Sequence, residues 1–366
     1  MSEQLSITME AIERRAAELL PPALFERWFG KLGHPLWMTE TNNVSAFSRY
    51  YLRPRVLTGV SNPDLSVDVL GERMSLPVML GPTGLQGRFH PDAEIASARA
   101  AAGAQTALCL SAGSTFSIED VAAAAPSCLT WFQLYLFKDV DLTNALVNRA
   151  EAAGYKVIVI TVDNPAIPTH ERDGIAQLVS RLPRQPEGLS TYDSPFGNTP
   201  QFKNVEEQLD AYELNVTWTT IDRIRAWTSL PVVIKGIQTV EDAQLAVDHG
   251  AAGIVVSNHG GHALMGAQAT LDQLGPIADA VGADLEVYLD GGIRRGTDVL
   301  KAMALGARAV LVGRAQYWGL AMDGEAGVRT MLEMLREELR IACILCGIAQ
   351  VRQIGAESVT NDASAA

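Results

Sequence analysis

No stretch of this chain reaches the roughly 18 to 20 uninterrupted apolar residues that a membrane-spanning helix needs. The first residues, Ser2-Glu3-Gln4, bring neither a basic region nor an apolar core, so a secretory leader is not expected. Cysteine is scarce: Cys109, Cys128, Cys343 and Cys346 are too few and too scattered for a disulfide framework, and a cytoplasmic, reducing setting is expected. Cys343 and Cys346 form a C-x-x-C, but in an apolar stretch with no second ligand pair, so it reads as core packing and no metal is expected. Blocks of Lys and Arg are also missing. With 29 basic against 42 acidic residues and a net charge of -13, a nucleic-acid groove would have to be built against the overall field. Phosphate is expected only inside a small-ligand site.

What the chain has is apolar bulk. Its 366 residues are 48% hydrophobic and 19% charged, enough to bury a barrel-sized core, and global disorder is excluded. From about residue 77, short β-branched runs alternate with Ala/Leu/Glu-rich segments. Strands are predicted at 77–81, 105–110, 129–135, 156–162, 231–235, 253–257, 285–290 and 309–313. Several are apolar on consecutive residues, as strands buried on both faces are. The helical patterns between them stop at Gly103, Gly154, Gly250 and Gly306. Eight such units predict an α/β fold of the TIM (β/α)8 type. An open doubly wound sheet is the alternative, but it wants a G-x-G-x-x-G turn after its first strand, and none is there. The chain reads as a single domain: an N-terminal helical lid segment over 1–76, the barrel over 77–350 and a tail over 351–366. The lid opens with an amphipathic helix at 9–20. A long Pro/Gly/Ser/Asn-rich loop, 176–202, follows the fourth strand, and a long amphipathic helix without an evident cap closes the barrel over 325–346.

Catalytic groups of such barrels sit just past the C-terminal strand ends. Those positions hold Pro82-Thr83-Gly84, Ser111, Gln133 with Tyr135, Thr161 with Asp163, Lys235, Ser257-Asn258-His259, Asp290-Gly291-Gly292 and Gly313-Arg314. Glycine amides plus Arg294 and Arg314 on the last two loops suit a phosphate, although tight turns with surface arginines would look the same. Lys235 ends a buried strand and needs an anionic partner there; it could face the electron-rich edge of a flavin or form a Schiff base. His259 leaves its strand on a Gly-Gly turn and suits general-base work near neutral pH, with Asp290 expected to orient it.

Taken together, Phe132-Gln133-Leu134-Tyr135, Thr161-Val162-Asp163, Lys235-Gly236, Ser257-Asn258-His259-Gly260-Gly261, Asp290 to Gly296 and Gly313-Arg314 resemble the FMN-dependent α-hydroxy-acid oxidase and dehydrogenase family. The resemblance runs from Leu52 to Arg352. It implies FMN held by Pro82, Thr83, Gly84, Ser111, Gln133, Thr161, Lys235, Ser257, Asp290, Gly292, Arg294, Gly313 and Arg314. It also implies His259 as the base, Asp290 in support with Tyr135 and Asp163 nearby, a 2-oxo product, O2 or a quinone-like carrier as electron acceptor, and a homotetramer.

The departures bear on the substrate. Where the family clamps the substrate carboxylate with two arginines, this chain has His262 and His170; where it has a carboxylate-binding tyrosine, Arg27 stands; and an active-site aromatic is replaced by Gly113. Losing two bidentate donors costs a carboxylate several kcal/mol, at roughly 1.5–3 per charged hydrogen bond. A larger substrate than glycolate or lactate is therefore expected, with Arg27, Tyr135, His170, His259 and His262 around it. A catalytically silent flavin barrel and a flavin-free phosphate-binding barrel are the competing readings.

Overall fold

The computed structural model describes residues 8–30, 37–163, 197–199, 201–202 and 205–361, without the side chains of residues 27, 205 and 206. Three short strands, β1 (Tyr50–Leu52), β2 (Val67–Val69) and β3 (Glu72–Met74), precede the barrel. The barrel itself is formed by β4 (Val78–Leu80), β5 (Ala107–Ser111), β6 (Leu129–Leu134), β7 (Val157–Thr161), β8 (Val232–Ile237), β9 (Gly253–Val256), β10 (Glu286–Asp290) and β11 (Ala309–Val312). All eight pair in parallel, and β11 closes on β4 with Val310 opposite Val78. Each corresponds to one predicted strand, to within two residues at either end. The apolar runs in them are buried throughout, because the barrel interior covers one face and the helices cover the other.

The N-terminal residues do not form a single lid. Helix α1 (Met9–Leu19), capped by Thr8, buries Met9, Ile12 and Ala16 along one stripe against the terminal helix on the barrel's flank. Helix α2 (Pro22–Phe29) sets Trp28 and Phe29 against Phe89 and Tyr317. Helix α3 (Met38–Ala46) packs on the turn at His259–Gly261, at the C-terminal mouth. The β2–β3 hairpin instead covers the opposite end: Val67, Val69 and Met74 are buried, and Leu70 N donates to the carboxylate of Glu286 at the start of β10 (3.1 Å).

The terminal helix spans Arg314–Cys346, starting eleven residues before the expected 325, with a break at Asp323 and Gly324, and it ends on Gly347 in the left-handed conformation. The first part was not read from the sequence because Gly319 and Gly324 interrupt its pattern. Cys343 and Cys346 are free thiols buried on this helix, and burial pushes the Cys343 thiol up to about 12. The tail does not run free: β12 (Val359–Asn361) pairs antiparallel with β1, Tyr50 opposite Asn361. The greater part of the loop 176–202 lies outside the described residues. Among the described residues no helix is long and apolar enough to cross a membrane.

Candidate active site

The chain leaves β9 through Ser257 and Asn258 into three successive left-handed residues, His259 (φ 57°), Gly260 (φ 66°) and Gly261 (φ 95°). For a histidine this conformation is uncommon and must be held by its surroundings. His259 N donates to Ser257 Oγ (3.1 Å), and the backward turn carries the imidazole across the mouth to Asp163, just past the end of β7. Nδ1 of His259 lies 2.9 Å from Asp163 Oδ1. An ionised carboxylate only accepts, so Nδ1 carries a proton, and the neutral ring in this tautomer has its lone pair at Nε2, 3.4 Å from the Tyr135 hydroxyl.

Burial acts to raise the Asp163 carboxyl, but the Lys235 charge and the His259 hydrogen bond outweigh it and hold the group below the usual aspartate value. Gly236 makes this approach possible: at φ 111°, a Cβ there would stand 2.5 Å from that of Asp163. Burial of the Tyr135 hydroxyl, and then the nearby Asp163 charge, push its pKa upward, so it stays protonated.

Lys235 is buried, with Nζ donating to Ser257 Oγ (2.9 Å) and lying 3.2 Å from Asp290 Oδ2. Burial alone would favour the neutral amine, yet Asp290 and Asp163 together hold the ammonium above its ordinary value. The expected pairing of Asp290 with His259 is therefore corrected. Asp290 ends β10 and meets the lysine from β8, while the histidine turns the other way, toward β7.

Around this centre buried polar groups lack partners. Thr161, in register with Lys235, has an unbonded Oγ1; Gln133, in register with Ser111, accepts from Ser111 Oγ (3.1 Å) but leaves Nε2 unused. Buried donors without acceptors are costly and uncommon. A polar, aromatic ring over the mouth would satisfy them and would also meet the Lys235 ammonium. Gly84 lets the loops after β4 and β5 pack closely, since a Cβ there would stand 3.0 Å from Gly113 O. Pro82 and Thr83 lead into it, and Thr83 Oγ1 is held by Gln86 Nε2 (2.9 Å).

Next to this centre, Gly291 and Gly292 adopt positive φ, and Asp298 accepts from the amides of Arg294 (3.0 Å) and Arg295 (2.9 Å), fixing the loop. The Arg294 guanidinium lies over Trp318, 4.8 Å from the ring centre. Arg314, beside Gly313, donates to Gly260 O (2.7 Å), contacts His262 Nε2 (2.9 Å) and stands 3.1 Å from Glu40; burial lowers it to about 10. Its Nε is unpartnered. Because a guanidinium only donates, His262 accepts from it at Nε2. His170 and the Arg27 side chain lie outside the described residues.

Sequence reasoning missed several residues here. Asn43 and Asn258 exchange two amide hydrogen bonds (2.8 and 2.9 Å) and so tie α3 to the His259 loop. Buried Glu94 accepts from the amides of Gln86 (3.1 Å), Thr115 (3.0 Å) and Phe116 (3.4 Å), joining the loops after β4 and β5; burial pushes it up to about 7. Tyr212 packs its ring 4.9 Å from Tyr135, and Tyr317 donates to Gly84 O (2.5 Å). Only Tyr317, close behind the last strand, carried a positional signal.

A closed parallel barrel whose mouth joins a buried ammonium, a carboxylate-oriented histidine and unsatisfied amide and hydroxyl groups is that of a flavin-dependent oxidoreductase. The sequence model for FMN-dependent dehydrogenases matches residues 16–361, and the chain belongs to this family, with FMN as its cofactor. It is similar to human 2-hydroxyacid oxidase 1 (42% identical over 354 residues, 95% of each chain) and to glycolate oxidase 3 of Arabidopsis thaliana (40% over 356 residues, 96% and 95%). Among solved structures it is similar to that of a mandelate oxidase, with TM-score 0.84 and 39% identity over 97% of this chain and 98% of the other. The chain is accordingly an enzyme of the 2-hydroxyacid oxidase type.

Proposed function

We propose that this enzyme oxidises the C–H beside the hydroxyl of a substrate bulkier than glycolate or lactate, with Nε2 of His259 taking the hydroxyl proton. The observation that carries this reading is the Asp163–His259–Tyr135 chain. Asp163 fixes the tautomer and balances the imidazolium as it forms, while Tyr135 presents a hydroxyl that stays protonated at the same nitrogen. FMN, when bound, supplies the two-electron acceptor.

Gln133, Thr161, Lys235, Ser111, Ser257 and Gly84 are the residues that would hold the FMN ring. Gly292, Arg294, Gly313 and Arg314 would receive the phosphate. The fixed charge of Lys235, kept in place by Asp290, favours the electron-rich form of the ring.

Two features support a larger substrate. At Gly113, where family members carry an aromatic ring, there is only backbone, whose carbonyl accepts from Leu85 N (2.9 Å). Leu85 packs with Trp28, Phe202 and Leu209 in a small apolar group beside the mouth, suited to a substrate's side chain. A small carboxylate, in turn, finds His262 already engaged by Arg314.

Anaerobic mixing of the holoenzyme with a series of 2-hydroxy acids and their amides tests the reading by bleaching of the flavin's visible band. Bulky aryl or branched members should bleach it faster than glycolate and lactate. Rapid bleaching by glycolate or lactate at micromolar concentration would overturn the substrate reading. A flavin that no member reduces would favour a silent barrel.

A further inference from the structure

We propose that Glu40 couples binding of the FMN phosphate to uptake of a proton, which makes this lid residue a determinant of cofactor affinity. The inference rests on reading Arg294 and Arg314 as the phosphate-binding pair. Glu40 lies on α3, its side chain only 2% exposed, 3.1 Å from the guanidinium of Arg314, whose side chain is 10% exposed. α3 is pressed against the mouth so closely that a Cβ at Gly261 would stand 2.6 Å from Glu40 N, so the carboxylate has little freedom to leave. Its contact with Arg314 is off the hydrogen-bond direction: Oε2 has no hydrogen-bond partner, and neither has Arg314 Nε.

The charges facing Glu40 come from each neighbouring element. The terminal helix brings Arg314, the loop after β10 brings Arg294 and α1 brings half-buried Glu13; Asp290 also acts on Arg314. His262, from the loop after β9, accepts from Arg314. Asp272, on the helix beneath α3, is taken up by Arg49.

The two guanidinium charges are thus already faced by Glu40 and Glu13, with Asp290 also acting on Arg314 and Asp298 and Glu10 on Arg294. A phosphomonoester brings about −1.5 to −2 more at pH 7. In a site of low dielectric that excess is unfavourable unless one anion is neutralised. Glu40 is the group placed for it, because it touches the same guanidinium that the phosphate needs and its burial already disfavours the charged form. A protonated Glu40 releases Arg314 to the phosphate; an ionised one competes for it.

Calorimetric titration of the deflavinated full chain with FMN, in buffers of different ionisation heat between pH 7 and 8.5, counts the protons directly. About one proton should be taken up per FMN, with the Kd rising toward tenfold per pH unit. Glu40→Gln should abolish most of that uptake, flatten the pH dependence and tighten FMN binding about tenfold at pH 8. Riboflavin, which has no phosphate, should bind without proton uptake to either protein. No uptake by the wild-type chain, a count unchanged in Glu40→Gln, or equal uptake with riboflavin would each overturn the proposal; the first needs no variant to fold. If riboflavin and FMN bind equally tightly, the phosphate-binding pair itself is misread. A clear preference for FMN with an unchanged proton count in Glu40→Gln removes only the role of Glu40.

Discussion

At the scale of single residues, the site separates two carboxylates that look alike in the sequence. Asp163 and Asp290 both sit at strand ends, and both lie near Lys235. The left-handed backbone at His259 decides between them by sending the ring toward β7. His259→Asn should therefore leave FMN bound while slowing flavin reduction by at least about 10²-fold in single-turnover stopped flow. Asp163→Asn should be as harmful or worse, on the order of 10³-fold, because an amide can donate to Nδ1 and stabilise the wrong tautomer. Equal rates in Asp163→Asn and wild type would show that the tautomer does not limit the reaction. Lys235→Met should lower the flavin reduction potential, read by equilibration with a reference dye, since the charge that favours the electron-rich ring is lost. The residues of this centre were legible because they lie just beyond eight recognisable strands. Their pairing was not, because linear spacing does not say which way a side chain turns across a closed ring.

At the scale of elements, the barrel was readable and its coverings were not. Runs such as Val157–Thr161 are apolar on every residue up to the threonine, and only strands buried on both faces ask for that. By contrast α3 has a mixed sequence, MTETNNVSA, and is held by particular contacts that no periodicity announces. One of them is the amide pair Asn43–Asn258, with Asn43 Oδ1 also accepting from Thr270 N (3.2 Å). Asn43→Ala would leave buried amide groups unpaired, and a loss of about 1–3 kcal/mol per stranded group is expected in denaturant unfolding. An unchanged unfolding midpoint would mean that water replaces the pair.

Glu94 gives a pH dependence of known sign. Its folded value of about 7 lies above its ordinary 4.5, so the folded state binds more protons between the two. The associated stability is fully present below about pH 4.5 and is lost as pH rises through about 7. Subtracting the stability profile of Glu94→Gln from that of the wild type should reveal this slope, and a flat difference across the window would contradict it.

At the scale of the whole molecule, the two ends of the barrel are closed by different means: α3 and α2 at the mouth, and the β2–β3 hairpin at the base. With FMN bound as proposed, the ligand adds to this closure at the mouth. Removing FMN should lower the melting temperature, since a ligand at a hundred times its Kd contributes about 2.7 kcal/mol by mass action. The shift should shrink on dilution of free FMN; a melting temperature independent of FMN would mean that the cofactor binds a locally disordered mouth.

Two seams, β4 with β11 and β1 with β12, join the early part of the chain to its last hundred residues. A ribosome delivers the chain from its N-terminus, at about 5–20 residues per second. For the whole interval between emergence of β4 and arrival of β11, the first strand of the ring has an unpaired edge, and so do Tyr50–Leu52 until the final residues appear. Such edges are templates for pairing with other chains. The fold thus confines its greatest exposure to aggregation to the period of its own synthesis, and a truncated product lacking only β11 onward would carry that exposure permanently.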